Sequence, residues 1–92
     1  MAMELVLIET DSCASCTGLE QEIQVVLSKY PRLELHIVRN QSEAQAYIDR
    51  YPLEKLPALL LISQNQVVGH LYGYQPAFIL DLWLDHLVKE GK

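Results

Sequence analysis

The sequence predicts an α/β fold, a mixed four-stranded sheet flanked by three helices in the order β-α-β-α-β-β-α. Short apolar runs alternate with segments of helical periodicity through the first half of the chain. A helix long enough to cross over separates the first two strands, which are therefore predicted to be parallel neighbours. A short polar turn joins the last two strands, which predicts an antiparallel hairpin and makes the sheet mixed.

The first strand and the first helix come from residues 4–30. "ELVLIE" (4–9) is a continuous apolar run, typical of a short buried strand. From Cys13 to Tyr30 apolar residues recur at spacings of three and four, which is the period of a helix with one buried face. Pro31 ends this helix because proline lacks the backbone N–H that a further turn needs. The apolar stripe consists of Cys16, Leu19, Ile23, Val26, Leu27 and Tyr30.

The second strand and the second helix follow in the same alternation. "RLELHIVR" (32–39) alternates apolar and polar residues, which is the period of a strand. Asn40 and Ser42 are each followed three residues later by Glu or Gln, so either residue can cap the start of a helix. This helix extends to Tyr51 and stops before Pro52.

The last part of the chain contains a hairpin and a third helix. "ALLLIS" (58–63) and "QVVGHLYG" (66–73) are apolar runs joined by a polar turn at 64–65. Pro76 suits the first turn of the last helix, which Gly91 closes. Because this helix is apolar on nearly all sides, we expect its outer surface either to stay lightly exposed or to form the interface of a homodimer.

Size and composition limit the classes of function. With 92 residues, the chain is expected to form one domain spanning 1–92. Half of the residues are apolar and 21% are charged, which is the composition of a globular protein rather than a disordered one. A net charge of −5 argues against nucleic acid and against an anionic membrane as partners.

The N-terminus shows no signal for export. "MAMELVLIET" (1–10) lacks a basic start, a long apolar core and a small-residue cleavage site, and no segment is long enough to span a membrane. We therefore expect a cytoplasmic protein. In that compartment thiols stay reduced, so a pair of cysteines is more often catalytic or metal-binding than a permanent bridge.

The only two cysteines, Cys13 and Cys16, are spaced as CxxC at the junction of the first strand and the first helix. Residues three apart on a helix lie on one side, so the two sulfurs are close enough to bridge. The first turn of a helix has unpaired N–H groups and the positive end of the helix dipole, and both favour a thiolate. Cys16 belongs to the apolar stripe and is expected to be the buried, resolving thiol, while Cys13 at the exposed tip is the nucleophile.

A bare CxxC pair leaves other functions open. The two thiols can be inert, or they can form half of a zinc site. Zinc needs four ligands, and the other candidates, His36, His70 and His86, are scattered without the usual spacing. An iron–sulfur cluster bridged between two subunits is a further alternative. We predict redox chemistry without a resident metal.

Two separated segments together resemble the thioredoxin-like superfamily. One is the CxxC pair after the first strand. The other is residues 51–84, in which an aromatic residue ends a helix, a proline opens an apolar strand, and a second strand ends in a glycine before the last helix. The resemblance implies that the peptide bond between Leu56 and Pro57 is cis and faces the cysteines. It also implies that the backbone of Leu56 pairs with an extended substrate, for which Gly73 leaves room.

The chain departs from the family patterns in places that bear on its chemistry. It lacks the first strand and helix of typical thioredoxins, and in this it is more similar to a glutaredoxin or a minimal thioredoxin. The acidic residue that thioredoxins keep on the preceding strand falls near Leu7, so no base for Cys16 is evident. Asp11, if close to Cys13, works against a thiolate there.

The resemblance implies a small thiol-disulfide oxidoreductase that exchanges disulfides with protein substrates through the CxxC pair. It implies no metal or organic cofactor, but it requires an upstream electron donor, a reductase. Two alternatives remain: a redox-inactive binding module with the same fold, and a protein that binds a metal or a cluster through the same thiols.

Overall fold

The computed structural model of the protein describes residues 3–9, 16–39, 41–51 and 57–90. Within them, strands and helices follow in the predicted order, β-α-β-α-β-β-α. The elements are β1 (Met3–Ile8), α1 (Cys16–Leu27), β2 (Leu33–Val38), α2 (Gln41–Arg50), β3 (Ala58–Ser63), β4 (Gln66–Tyr72) and α3 (Ala77–Glu90). The predicted α/β fold is therefore confirmed.

The four strands form one mixed sheet in the order β2-β1-β3-β4. β1 is parallel to β2 and antiparallel to β3, and β3 is antiparallel to β4. The parallel pair β1–β2 requires α1 as a crossover connection, whereas the antiparallel pair β3–β4 needs only the short turn between its strands. The predicted parallel neighbours and the predicted hairpin are both present.

Helices cover both faces of the sheet, which explains the continuous apolar runs at 5–8 in β1 and 58–62 in β3. Alternate side chains of a strand point to opposite faces. Leu5 and Leu7 pack with α1 and α3 in one core, while Val6 and Ile8 pack with α2 in a second core. The larger core also contains Leu19, Ile23, Val26, Leu59, Leu61, Leu80 and Leu84.

The first helix is shorter at its C-terminus than the apolar stripe predicts. α1 ends at Leu27 and not at Tyr30. The backbone N–H of Lys29 donates to the carbonyl of Val26 at 3.0 Å, and that of Tyr30 donates to Leu27 at 2.9 Å. These bonds span three residues instead of four, so the last turn tightens and leaves the helix before Pro31. The predicted start at residue 13 lies outside the described residues.

The turn between β3 and β4 has the geometry of a tight hairpin. Gln64 and Asn65 have φ angles of 53° and 65°, the combination that matches the twist of the flanking strands. The pairing shifts between Leu61 and Ile62, so Val68 on β4 has no opposite residue and forms a bulge. The tight turn and the bulge together let β4 bend towards α3.

Gly69 lies in this bent part of β4, where the strand passes close to α3. A Cβ atom at this position would run into the Cδ1 atom of Leu87. A side chain at this position would force the side chain of Leu87 to shift, so glycine suits the close approach of the strand to the helix.

The last helix is buried on one side and apolar on the other. Leu80 and Leu84 are buried in the core, whereas Phe78 and Leu82 are each 66% exposed. The expected exposed apolar surface is therefore present, and the homodimer through it stays a prediction. Within the described part of the chain, no helix has both the length and the hydrophobicity that a membrane span requires.

Candidate functional site

The ends of all four strands meet at one edge of the sheet. Ile8 lies opposite both Val38 and Ala58, and Ala58 lies opposite Tyr72. Neighbouring strands are about 5 Å apart, so the residues just beyond these positions are side by side. In strand order they are Arg39, Glu9, Pro57 and Gly73, and we call them the site edge.

Cys16 begins the helix that leaves this edge. It is the first residue of α1, and only 5% of its surface is exposed. It lies on the buried stripe of α1 with Leu19, Ile23 and Val26, as the spacing predicts. Its sulfur is disulfide-bonded. Cys13 lies outside the described residues, so its role as the nucleophile and the resolving role of Cys16 stay predictions.

Pro57 and Gly73 are brought together by the end of the β3–β4 pair. The backbone N–H of Gly73 donates to the carbonyl of Pro57 at 2.8 Å, and Pro57 is buried. No atom of the described residues comes within 4 Å of the position where a Cβ of Gly73 would lie. Leu56, and with it the predicted cis peptide bond, lies outside the described residues. Substrate binding at Leu56, Pro57 and Gly73 stays a prediction.

Gly73 has a φ of 75°, which other residues adopt only with strain. We expect Gly73→Ala to lower the free energy of unfolding by about 1 kcal/mol, and Gly73→Asn to lower it less, because asparagine tolerates this region. Gly18→Ala is the matched control, since Gly18 lies inside α1 and alanine favours a helix. Urea unfolding measures the free energy of unfolding of all three variants. Equal stability of Gly73→Ala and the wild type would contradict the strained turn.

A buried carboxyl group occupies the middle of the site edge. Only 4% of the surface of Glu9 is exposed. Its backbone N–H extends the β1–β2 ladder by donating to Val38 at 2.9 Å, which fixes the residue at this edge. Arg39 donates from Nε to Oε1 of Glu9 at 3.1 Å and from Nη2 to Oε1 of Glu20 at 2.7 Å. One guanidinium group thus connects the ends of β1 and β2 with α1.

The two carboxyl groups share one proton near neutral pH. Burial, and after it the adjacent Glu20, raise the pKa of Glu9 from 4.5 to about 7 against the opposing effect of Arg39. The pKa of Glu20 is lowered, first by its hydrogen bond with Glu9 and then by Arg39, against the effect of its own partial burial. Oε2 of Glu9 is buried and accepts no hydrogen bond from the described residues. When Glu9 is protonated, its hydroxyl can donate a hydrogen bond to Glu20, which gives the buried oxygen a partner.

This carboxyl pair is close in sequence and in space to the thiol site. Glu20 follows Cys16 by one turn of α1, on the same side of the helix. Sequence reasoning found no base for Cys16 because it considered only Leu7, which is in the core. Glu9 has the same strand parity as Leu7 and therefore faces α1, a direction that alternation indicates although it does not indicate the burial.

Tyr74 forms the rim of the site edge. Its hydroxyl donates to Oε1 of Glu22 at 3.1 Å, and this hydrogen bond raises the pKa of the phenol. Its ring lies over Gly18, where an added Cβ would be 3.4 Å from Cε1. Gly18 belongs to the same first turn of α1 as Cys16. The segment after β4 is thus fastened to the helix that carries the thiol.

Two of the three histidines, His36 and His70, have partners outside the thiol site. Nε2 of His36 lies 3.1 Å from Oε2 of Glu43, and the ring of His70 is 5.1 Å from that of Tyr72. Among the described residues, no three side chains of His, Cys, Asp or Glu are arranged to hold a metal ion. Cys13 is not among them, so metal binding by the thiols stays open as an alternative.

Comparison with solved structures identifies the fold. Thioredoxin-2, "a component of malaria parasite protein secretion machinery", is 14% identical with a TM-score of 0.77 over 92% of this chain and 82% of that chain. Desulfothioredoxin from Desulfovibrio vulgaris Hildenborough is 18% identical with a TM-score of 0.79 over 94% and 82%. Thioredoxin O2 from Arabidopsis thaliana is 15% identical with a TM-score of 0.79 over 94% and 75%.

Sequence comparison adds nothing to this likeness. No protein-family model and no curated protein matches the sequence. At identities of 14–18% the structural likeness establishes the fold and not the activity. The chain has a thioredoxin-like fold, with Cys16 at the start of the helix that leaves the site edge.

Proposed function

We propose that the protein is a small thiol-disulfide oxidoreductase acting on protein disulfides, with Cys13 as nucleophile and Cys16 as resolving thiol. The observation that carries the proposal is the placement of Cys16, buried at the N-terminus of α1 beside the site edge of a thioredoxin-like fold. The disulfide-bonded state of Cys16 supports it further. The positive end of α1 favours a thiolate in its first turn.

The proposed cycle moves two electrons from the protein to the substrate. The thiolate of Cys13 attacks one sulfur of the substrate disulfide, forms a mixed disulfide and releases the other substrate sulfur as a thiolate. Cys16 loses its proton and attacks the sulfur of Cys13, which releases the second substrate thiolate and closes the disulfide between Cys13 and Cys16. An external dithiol donor reduces that disulfide and restores the starting state.

The carboxyl pair supports the second attack. Cys16 is buried, so the proton it loses has few acceptors. Glu9 holds a proton that it releases near neutral pH, and Glu20, one helical turn from Cys16, stays ionised. The pair is thus able to take up or give up a proton at the pH of the cell. Arg39 holds both carboxyl groups in place.

The Pro57 side of the site edge supports binding of an extended substrate segment. The space beside Gly73 admits a chain next to the backbone of Pro57. A binding module without turnover would use the same surface, and it is the competing proposal. We place the reaction in the cytoplasm, where a reductase is available to return the pair to its dithiol form.

Exchange kinetics test the proposed function. The wild type, Cys13→Ser and Cys16→Ser are mixed with a disulfide-bridged peptide and dithiothreitol as donor, and peptide thiols are counted over time. We expect catalysis by the wild type and none by Cys13→Ser, because the serine hydroxyl is not a nucleophile at neutral pH. Ser15→Ala, a change between the cysteines, serves as control and is expected to retain activity. A wild type no faster than Cys13→Ser would refute the proposal.

A further inference from the structure

A second cavity lies at the other end of the sheet. It has a volume of about 270 Å³ and is lined by Glu4, Ala46, Tyr47, Arg50, Tyr51, Ile62 and Asn65. We call it the α2 cavity. Glu4 is near the start of β1, about 16 Å along the strand from Glu9 at the site edge. The cavity is therefore separate from the thiol site.

Aromatic rings form one wall of the α2 cavity. The centroids of Tyr47 and Tyr51 are 6.3 Å apart, with their planes inclined by 30°. The guanidinium carbon of Arg50 is 5.5 Å from the centroid of Tyr51. The largely buried Ile62, from β3, is the apolar residue that the sheet contributes to the lining. Rings and Ile62 together offer an apolar surface between two charged side chains.

Within the described part of the chain, no ion pair neutralises either of these two charges. Among the described residues, neither Glu4 nor Arg50 forms a salt bridge, although both line the same cavity. The guanidinium of Arg39 and the ammonium of Lys29, by contrast, are each paired with a carboxylate. The carboxylate of Glu4 also raises the pKa of Tyr47, after the larger effect of burial, which places it close to the phenol.

The surroundings of Glu4 favour a cation. Glu34 is its direct neighbour on β2, so two carboxylates stand side by side at the start of the sheet. Like charges at this spacing repel each other, and a bound cation relieves the repulsion. The faces of Tyr47 and Tyr51 attract a cation as well. The guanidinium of Arg50, beside the ring of Tyr51, favours an anion at the opposite end.

We propose that the α2 cavity binds a small zwitterion, an α-amino acid with an apolar side chain, with its ammonium group at Glu4 and its carboxylate at Arg50. The side chain lies against the tyrosine rings, beside Ile62. The volume corresponds to about nine water molecules at liquid density, which suits a molecule of amino-acid size. It is just below the usual range of about 300 to 1,000 Å³ for ligand pockets. This binding is independent of the proposed thiol chemistry.

Titration by ¹H–¹⁵N NMR tests the proposal on the full chain. The probes are L-phenylalanine, N-acetyl-L-phenylalanine, which lacks the ammonium group, and L-phenylalaninamide, which lacks the carboxylate. We expect L-phenylalanine to give saturable shifts at Tyr47, Tyr51 and Asn65 with a dissociation constant of about 1 mM. Each modified probe is expected to bind about tenfold more weakly.

Matched variants show whether the two named charges are responsible. Arg50→Gln should make L-phenylalanine and its amide bind equally, and Glu4→Gln should do the same for L-phenylalanine and its N-acetyl form. Arg32→Gln and Asp85→Asn, which change charges outside the cavity lining and away from Glu4, should keep the preference for the zwitterion. Absence of saturable shifts up to about 20 mM, or equal binding of all three probes to the wild type, would overturn the proposal. Preference for the amide or for the N-acetyl form would overturn it as well.

Discussion

Cys16→Ser is expected to accumulate as a mixed disulfide with its substrate through Cys13. The variant retains the nucleophile, so the first exchange still occurs. It lacks the thiol that attacks the sulfur of Cys13, so the adduct persists and turnover falls to the uncatalysed level. Intact-mass spectrometry and a non-reducing gel detect the adduct with a disulfide-bridged peptide. Cys13→Ser should give no adduct, because buried Cys16 is sheltered from an external disulfide.

The assignment of roles can fail in two ways in this experiment. A stable adduct in Cys13→Ser and none in Cys16→Ser would show that Cys16 is the nucleophile and Cys13 the resolving thiol. Adducts of equal amount in both variants would show that the thiols react independently and do not form a nucleophile and a resolving partner. Ser15→Ala with both cysteines intact is the control, and it should turn over without accumulating an adduct.

Stability is expected to fall as the pH rises from about 5 to about 8. The pKa of Glu9 is raised from 4.5 to about 7 in the folded chain, so the folded state holds a proton that the unfolded state has already released. This contribution is fully present below pH 4.5 and is lost as the pH passes 7. Its upper limit is about 3 kcal/mol, and the opposing effect of Arg39 is already contained in the raised pKa. Urea unfolding at each pH measures it.

Glu9→Gln removes the titrating group while keeping its shape. The amide accepts a hydrogen bond from Arg39 and donates one to Glu20, as protonated Glu9 does. We expect this variant to show little loss of stability between pH 5 and 8. Glu34→Gln, which changes an exposed carboxylate on β2, should keep the wild-type slope. A wild type whose stability does not change over this range would contradict the shared proton.

Local patterns in the sequence were enough to predict the fold. The alternation in β2 and the apolar stripe on α1 each follow from burial of one face. Residues on the same face recur every two positions in a strand and every three to four positions in a helix. The end of α1 was placed at Tyr30 because that residue continues the stripe, and it does pack against the core. Tyr30 reaches the core from a tightened turn after Leu27, and the periodicity of apolar residues does not indicate such a backbone detail.

The site was predicted less completely because its groups meet only in three dimensions. Burial of Cys16 followed from its place on the stripe. Glu9 is different, since a glutamate after an apolar run suggests an exposed strand end. It is buried because Arg39 and Glu20, from two other elements, close over it. Tyr74 likewise belongs to the site only because its ring lies on Gly18.

The thiol chemistry of the Cys13–Cys16 pair is tested most directly by one set of measurements on one sample. The pKa of Cys13 is followed by the pH dependence of alkylation, the reduction potential of the pair by equilibration with glutathione, and the metal content by elemental analysis. We expect a pKa between about 3.5 and 7.5, a two-electron potential between about −270 and −120 mV, and no stoichiometric metal. A pKa near 8.5 without disulfide exchange would favour a binding module, and one metal ion per chain or per pair of chains would favour ligation by the thiols.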